Sequence, residues 1–425
     1  MELAKLVKVL DAKGMLTRIS KPVDPKYEVS TLMKMLDGRV VLFDHVKGST
    51  MPVIANICST RDLVATGLGI RREELIGKLA EAIDHPKKAR VMDAQGYQDV
   101  GADLSKLPIL THYTKDAGPY ISSGVIASGD KEYGVNLSYH RAEVLGKDKL
   151  VLRILQRHFD TYIQRGLKEF AICISSPVQV LVAAAISVEA GISEVDIANA
   201  LEETPLLRLE GLLVPPCDIV ITAELTGELH DEGPFLDLTE TFDIIRKQRV
   251  AQVKKIYMRK DATYQALLPG GLEHKVLMGM PREPTIYREV AKVCEVKDVL
   301  VTPGGCSWLH GAVSIHKKHP DDGRKAIEAA FKGHKSMKHV FVVDDDINIH
   351  DPTDIEWAMA TRFQADKNMI TFREKGSSLD PSSDMETQMT CKAGFDLTIP
   401  EGGKKEFKRP TLPMKLNLDD YVPHK

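Results

Sequence analysis

A multidomain α/β protein, mixed at both ends of the chain and strand-rich in its middle, is the fold class this sequence predicts. Three observations carry it. At 425 residues the chain is longer than one hydrophobic core usually covers. Amphipathic helical spacing alternates with short apolar runs before about residue 100 and again after about residue 280. Between those stretches, β-like runs follow one another with two helices inserted.

Taken in order, "MELAKLVKVLDAKGM" and "RREELIGKLAEAID" repeat apolar residues at helical spacing, while "RVVLFDHV" and "PVIANI" read as strands. "LPILTHYTKDAGPYISS", rich in Pro, Gly and Thr, marks a boundary near residues 107–122. The middle runs "SGVIASG", "YGVNLSYHRAEVL", "KLVLRIL", "EFAICIS", "CDIVITAEL" and "KKIYMRK" have the Val, Ile and Thr content of strands. One inserted helix starts at Pro177, a good first-turn residue, and the other follows Ser193 as N-cap. This pattern suggests a β-barrel or sandwich with helical excursions. "PTIYREVAKVCE", "VKDVLVTPGG", "DGRKAIEAAFKG", "KHVFVVDDDINI" and "DIEWAMATRF" then alternate helix and strand in a second α/β module. The last fifty residues, with "GSSLDPSS" and "PEGGKKEFKRP", read as a loop-like tail wrapping another surface. The expected domains are 1–107, 108–279 and 280–425.

Composition narrows the function classes. With 43% hydrophobic residues, 28% charged residues and a net charge of −3, the chain makes no electrostatic case for nucleic acid. Six cysteines without CxxC spacing suggest neither a zinc site nor a disulfide framework, so free thiols in a cytoplasmic protein are expected. No apolar run is long enough to span a bilayer, and the N-terminus lacks the apolar core of a signal peptide.

Polar clusters supply the candidates. "HDEGPFLDLTETF" follows a strand and presents Glu232 and Asp237 around a Gly-Pro corner, expected to be irregular backbone. These acids are solvated loop residues, metal ligands, or a proton donor and its support. In "NLSYHR", strand alternation puts Asn136, Ser138 and His140 on one face and Arg141 on the other. Asp344, Asp345 and Asp346 end a buried-strand pattern, where acids can hold Mg²⁺ against phosphate or serve as caps and interface charges. The two "PGG" turns, at Pro269 and Pro303, are anion nests or ordinary tight turns. No P-loop, GxGxxG fingerprint, nucleophile elbow or HExxH is present.

The ordered set "YGVNLSYHR … LQRH … GISE … VPPCDIVITAEL … DEGPFLD … LLPGGLEHKVLMGMPREP … VVDDDINIHDPTDIEWAMATR … GSSLDPSS", from about residue 100 to 400, resembles the UbiD family of prenylated-FMN-dependent decarboxylases, its archaeal branch above all. That resemblance implies a flavin-binding split β-barrel in the middle of the chain. It implies Glu232, Arg141 and Asp237 as catalytic residues, with Glu232 as proton donor and Asp237 orienting Arg141. A divalent cation, Mn²⁺ or Mg²⁺, would sit on Asn136, His158 and Glu194 and tie down the cofactor phosphate. Tyr139, His140, Arg157, Ala184, Ala185 and either Lys335 or Lys338 would complete the cofactor contacts. Arg362 matches a family arginine near a monovalent-cation (K⁺) site. One departure is that Ala184, Ala185 and Ile186 replace the serines many relatives place by the flavin phosphate. The implied substrate is an α,β-unsaturated carboxylic acid, either a phosphorylated enoate or an aromatic acid. The implied partners are a flavin prenyltransferase as cofactor supplier and further copies of the chain in a homo-oligomer. Two rival classes stay open, a Mg²⁺-dependent phosphotransferase built on Asp344 to Asp346 and a non-catalytic flavin-binding assembly protein.

Overall fold

A computed structural model of the chain describes residues 1–401 except 190 and 385, together with 407, 414 and 421. Its centre is a nine-stranded sheet. The strands run in the spatial order Tyr120–Ile121, Ala142–Val144, Lys149–Leu152, Arg246–Arg259, Ile219–Glu232, Glu169–Ile174, Val125–Asp130 and Gly134–Tyr139, with Tyr97–Asp99 paired to Arg246–Arg259. The pairing path is open. Yet Gly134–Tyr139, at one end of the path, passes through only His140 and Arg141 before entering Ala142–Val144, next to the other end. The sheet must therefore curl back on itself, split where the chain crosses at His140 and Arg141.

Strand alternation explains how both faces are covered. Val125, Ala127, Ala171, Cys173 and Val220 join one hydrophobic cluster with the N-terminal helix Leu3–Ala12 and the helices Arg61–Leu68, Val178–Ala183 and Glu194–Leu201. Ile126, Phe170, Ile172, Ile174, Ile219 and Ile221 enter a second cluster with Phe43, Phe159 and Tyr264. Each fully buried side chain of this kind contributes about 1.5–3 kcal/mol.

A small four-stranded sheet joins Leu16–Ile19, Val40–Phe43 and Val53–Ala55 to Tyr264–Ala266, so early and middle sequence share one sheet. The C-terminal sheet has the order Glu295–Val301, His310–His316, His339–Asp344, Met389–Asp396, Met369–Lys375. Helices Glu283–Ala291, Asp322–Gly333 and Pro352–Arg362 accompany it.

Two expectations need correction. "CDIVITAEL" is the start of a 14-residue strand that reaches Glu232 itself, paired there with Arg246. Glu232 is therefore the last residue of a strand, and residues 233–245 close a long hairpin. Thr390 to Asp396 lie in a strand rather than loop, because Met389–Asp396 is paired on both sides. Of the expected wrapping tail, all but three of the residues after 401 lie outside the described residues. Among the described residues no helix is long and apolar enough to cross a membrane, and all six cysteines are unpaired.

Candidate active site

The hairpin loop after Glu232 is shaped by its own backbone. Gly233 has φ +93 and is followed by a cis bond to Pro234. Phe235 O and Thr241 O then accept from Asp243 N and Asp237 N, folding the loop into a smaller hairpin with Asp237 near its turn. Gly270, at φ +70, lets the "PGG" turn approach this loop. A β-carbon there would stand 2.8 Å from a Leu236 methyl and 3.0 Å from the Glu240 side chain. The helix Leu272–Gly279 that follows fixes the loop further, with Lys275 ion-paired to Glu240.

Arg141 lies where these pieces meet. Its Nε and Nη2 donate to the two oxygens of Glu232 at 2.7 and 2.9 Å, a bidentate fork. Nη2 also reaches Asp243 Oδ2 at 3.1 Å, while Nη1 faces Asp237 Oδ2 at 3.9 Å. The guanidinium lies over the Phe235 ring, 5.0 Å from its centroid. Burial alone would lower its pKa, but the Glu232 hydrogen bond and the surrounding carboxylates hold it well above the usual arginine value. Glu232 is 0% exposed, and the Tyr120 hydroxyl oxygen stands 3.3 Å from its Oε1. Tyr120 in turn donates to Glu143 at 2.9 Å, whose carboxyl burial holds above the ordinary value. Asp243 is held below its ordinary range: burial pushes it up, but the Arg246 hydrogen bond and the Arg141 charge outweigh that.

This constellation borders a cavity of about 1130 Å³, ample for a dinucleotide-sized cofactor and a small acid. Arg141, Asp237, Asp243 and His274 line it, but Glu232 does not. His274 Nδ1 accepts from Gly270 N at 3.1 Å, so the neutral ring carries its proton on Nε2. Burial holds the imidazole pKa below its usual value.

At another part of the wall, Asn136 Nδ2 donates to both Glu194 oxygens at 3.0 Å, and Leu137 N donates to one of them at 2.9 Å. His158 Nδ1 stands 3.9 Å from Glu194 Oε1. Ser193, expected to cap its helix, instead donates its hydroxyl to Val135 O at 2.6 Å. That bond ties Glu194 to the strand carrying Asn136. Burial pushes the Glu194 carboxyl up to about 7 despite its hydrogen bonds. A buried carboxylate beside an imidazole and an amide, with no lysine or arginine ion-paired to it among the described residues, fits a hard divalent cation.

The remaining expected contacts divide. Tyr139 and His140 line the cavity, with Tyr139 Oη on Leu181 O at 3.1 Å and His140 bridging Arg153 O and Ser138 Oγ. Burial pulls His140 down to about 4, so it is a neutral packing and hydrogen-bonding residue. Ala184 and Ala185 line the wall too, but their amides are already bonded to Val180 O and Val182 O, leaving apolar surface. Arg157 and Lys335 line the cavity; Lys338 does not, because its ammonium is paired with Asp380 at 3.1 Å beside a separate cleft.

Arg362 does not reach the cavity. It is 2% exposed and forks onto Asp346 at 3.0 and 2.6 Å, with Asp344 at 3.6 Å. Asp345 pairs with His316 at 2.7 Å. The acid cluster thus serves packing within the C-terminal sheet, which disfavours a metal-dependent phosphotransferase there. Both "PGG" turns also use their amides locally: Gly270 on His274, Gly271 on Leu268 O, and Gly305 on Thr302. Residues not singled out from the sequence are Tyr120, Glu143, Arg153, His274 and Arg282. They are single polar residues on unrelated elements, and only the folded chain brings them together.

Comparison with known proteins places this geometry. Residues 7–83, 84–272 and 275–397 match the N-terminal, Rift-related and C-terminal domains of 3-octaprenyl-4-hydroxybenzoate carboxy-lyase, the UbiD family. An anhydromevalonate phosphate decarboxylase from Methanothermobacter thermautotrophicus is 40% identical over 405 residues, covering 92% of this chain and 96% of that protein. The UbiD-class enzyme HmfF from Pelotomaculum thermopropionicum, solved in complex with FMN, superposes with a TM-score of 0.94 at 35% identity, covering 99% of this chain and 100% of that one. An evolved dimeric form of HmfF in complex with prFMN gives 0.90 at 34% identity, over 99% and 100% of the two chains. With all three family domains matched in order along the chain, it belongs to the UbiD family of carboxy-lyases.

Proposed function

We propose that this protein removes CO₂ non-oxidatively from an α,β-unsaturated acid with the help of prenylated FMN. The proposed substrate is trans-anhydromevalonate 5-phosphate and the product isopentenyl phosphate. The observation that carries the reading is Arg141, locked by Glu232 on its buried side and presenting Nη1 to a cavity beside Asp237. The name of the 40%-identical relative supports the substrate, and the flavin-bound solved relatives support the cofactor.

Decarboxylation exchanges a carboxylate for a proton: the C–CO₂ bond breaks, its electron pair stays on carbon, and a proton is added there. When bound, prenylated FMN supplies the electron sink that no side chain offers. The protein does the rest. Nη1 of Arg141 is the edge left to hold the substrate carboxylate. The buried Glu232 fork fixes that edge and offsets its charge. Asp237, which unlike Glu232 lines the cavity, is placed to deliver the proton. This assigns the proton to Asp237 where the sequence reading gives it to Glu232; the support is that Glu232 is buried with both oxygens bonded to a guanidinium, while Asp237 borders the cavity. Asn136, His158 and Glu194 would hold Mn²⁺ or Mg²⁺ against the cofactor phosphate, with Lys335 as the cavity-facing lysine. A flavin prenyltransferase would supply the cofactor, and assembly into homo-oligomers fits the family.

The deciding assay offers trans-anhydromevalonate 5-phosphate, 4-hydroxybenzoate and cinnamate to enzyme co-expressed with a flavin prenyltransferase. CO₂ release from the phosphorylated acid is expected. Release from an aromatic acid alone would overturn the substrate.

A further inference from the structure

Three of the arginines on the cavity wall already have carboxylate partners. Arg141 serves Glu232, and Arg153 and Arg246 serve Asp243 at 3.6 and 2.6 Å. Arg282 and Arg157 do not: among the described residues neither makes an ion pair. Instead both reach the same hydroxyl. Arg282 Nη2 donates to Ser187 Oγ at 2.7 Å and Arg157 Nη1 at 3.3 Å. All three residues line the cavity.

Two guanidinium groups converging on one neutral oxygen repel each other, an arrangement that an anion between them would stabilise. Arg282 shows the strain most. Its Nε is buried with no hydrogen-bond partner among the described residues, and burial, with the Arg157 charge, pulls its pKa down to about 10. Its position is nevertheless built. The guanidinium stacks on Trp308 at 5.1 Å, and Trp308 is held by its Nε1 on Ser377 Oγ at 3.0 Å. The indole packs in a cluster with Leu238, the neighbour of Asp237. The pair therefore stands on the same wall as the catalytic loop, joined to it through one aromatic ring.

We propose that Arg282 and Arg157, with the Ser187 hydroxyl between them, form the subsite for a phosphate monoester, and that the phosphate is the substrate's. This rests on the reading of the substrate as a phosphorylated acid and names the residues that select it. A dianion with three terminal oxygens matches two forks and a hydroxyl better than a single carboxylate does. The alternative source is the flavin's own phosphate, since the resemblance counted Arg157 among the cofactor contacts. The Asn136, His158 and Glu194 cluster already offers that group an anchor.

The test uses the full-length protein loaded with flavin and metal. Binding of trans-anhydromevalonate 5-phosphate and of its unphosphorylated acid is measured by calorimetry, with inorganic phosphate as competitor. Wild type is expected to prefer the phosphorylated acid by about 10- to 100-fold, the range of one or two charge-assisted hydrogen bonds. Arg282→Gln and Arg157→Gln should each remove most of that preference and the competition by inorganic phosphate. KM for the phosphorylated acid should rise with little change in kcat, and the flavin-to-protein ratio should stay at the wild-type value. Arg157 is exposed, so its variant carries the test if Arg282→Gln disturbs Trp308. A fall in flavin content that tracks the loss would assign the subsite to the cofactor and overturn the proposal, as would unchanged preference in both variants. If wild type decarboxylates aromatic acids alone, the substrate reading fails, but the binding comparison still decides the subsite: preference without turnover supports it, and no preference ends it.

Discussion

Three carboxylates of the same hairpin reach Arg141, and two of them, Glu232 and Asp237, meet it differently. Glu232 gives both oxygens to the fork and is wholly buried; Asp237 stands 3.9 Å off and keeps part of its surface in the cavity. Asp237→Asn should lower kcat by about 10²-fold or more, the contribution of a positioned acid, with KM and flavin content nearly unchanged. Glu232→Gln turns one acceptor of the fork into a donor facing Nη2, so Arg141 loses its fixed edge; the main effect should fall on KM. Measuring kcat and KM separately, with deuterium incorporation into product, decides between them. Normal exchange in Asp237→Asn together with none in Glu232→Gln would restore the opposite assignment. At this scale the sequence was informative where chemistry clusters along the chain. "EGPFLD" and "NLSYHR" mark Glu232, Asp237, Asn136 and Arg141 before any folding is known. Which acid faces the cavity could not be read, because one turn of backbone at Gly233 and Pro234 decides it. Arg282 and His274 were invisible for another reason: each is an ordinary polar residue on a helical segment, given meaning by Ser187, Trp308 or Gly270 from elsewhere.

The element that positions the loop is the turn and helix from Pro269 to Gly279. Gly270→Ala places a methyl against Leu236 and Glu240 at a backbone angle of φ +70. Pushing the loop away should cost about 1–3 kcal/mol of stability and lower kcat more than it changes flavin content. A thermal melt with paired kinetics checks this, and a variant of normal stability and rate would show the close approach to be dispensable. The same helix reaches the N-terminal part of the chain through Glu273, which accepts from Asn56 N at 2.9 Å and Cys58 N at 3.0 Å. Burial raises its carboxyl to about 7, above the ordinary 4.5. A raised folded-state value means that the native state holds the proton more tightly. This stabilisation is complete below about pH 4.5 and is lost as the pH climbs through 7. Glu273→Gln lacks the titration but gives up one of two amide acceptors. It should be less stable than wild type at pH 5, and the gap should narrow by pH 8. Urea midpoints of both proteins at the two pH values test this; a gap that widens would contradict it. Strand and helix positions were largely legible from periodicity, as in "KLVLRIL" and "DGRKAIEAAFKG". The length of the Ile219–Glu232 and Arg246–Arg259 hairpin was not. Its outer part is polar and exposed, so nothing in its hydrophobicity separates strand from loop.

Across the whole molecule, the cavity is walled by two regions distant in sequence. The middle of the chain contributes Ser122 through Arg282, and the C-terminal part contributes Trp308, Lys332 to Ser336 and Ser377 to Leu379. The first hundred residues supply none of the lining. They brace the other two through Glu273, through the buried Arg61 and Glu283 ion pair, and through Arg288 on Asp84 at 2.7 Å. A cofactor seated in such a cavity contacts both regions at once, so its binding energy should stabilise the native chain as a unit. At a free concentration one hundred times its dissociation constant, that linkage amounts to about 2.7 kcal/mol. Loading with flavin and Mn²⁺ should therefore raise Tm and sharpen the melt into one transition, and chelation should reverse part of the gain. The geometry also says which residues carry the effect. His158→Ala removes the imidazole beside Glu194 and should lower flavin occupancy and most of the Tm gain. Lys338→Ala should leave both intact, because that ammonium is bound to Asp380 outside the cavity lining. Calorimetric scans of wild type and both variants, with and without flavin and metal, give the answer. If Lys338→Ala loses the cofactor while His158→Ala keeps it, the anchor lies at the C-terminal cleft, and the Asn136, His158 and Glu194 cluster is a packing feature alone.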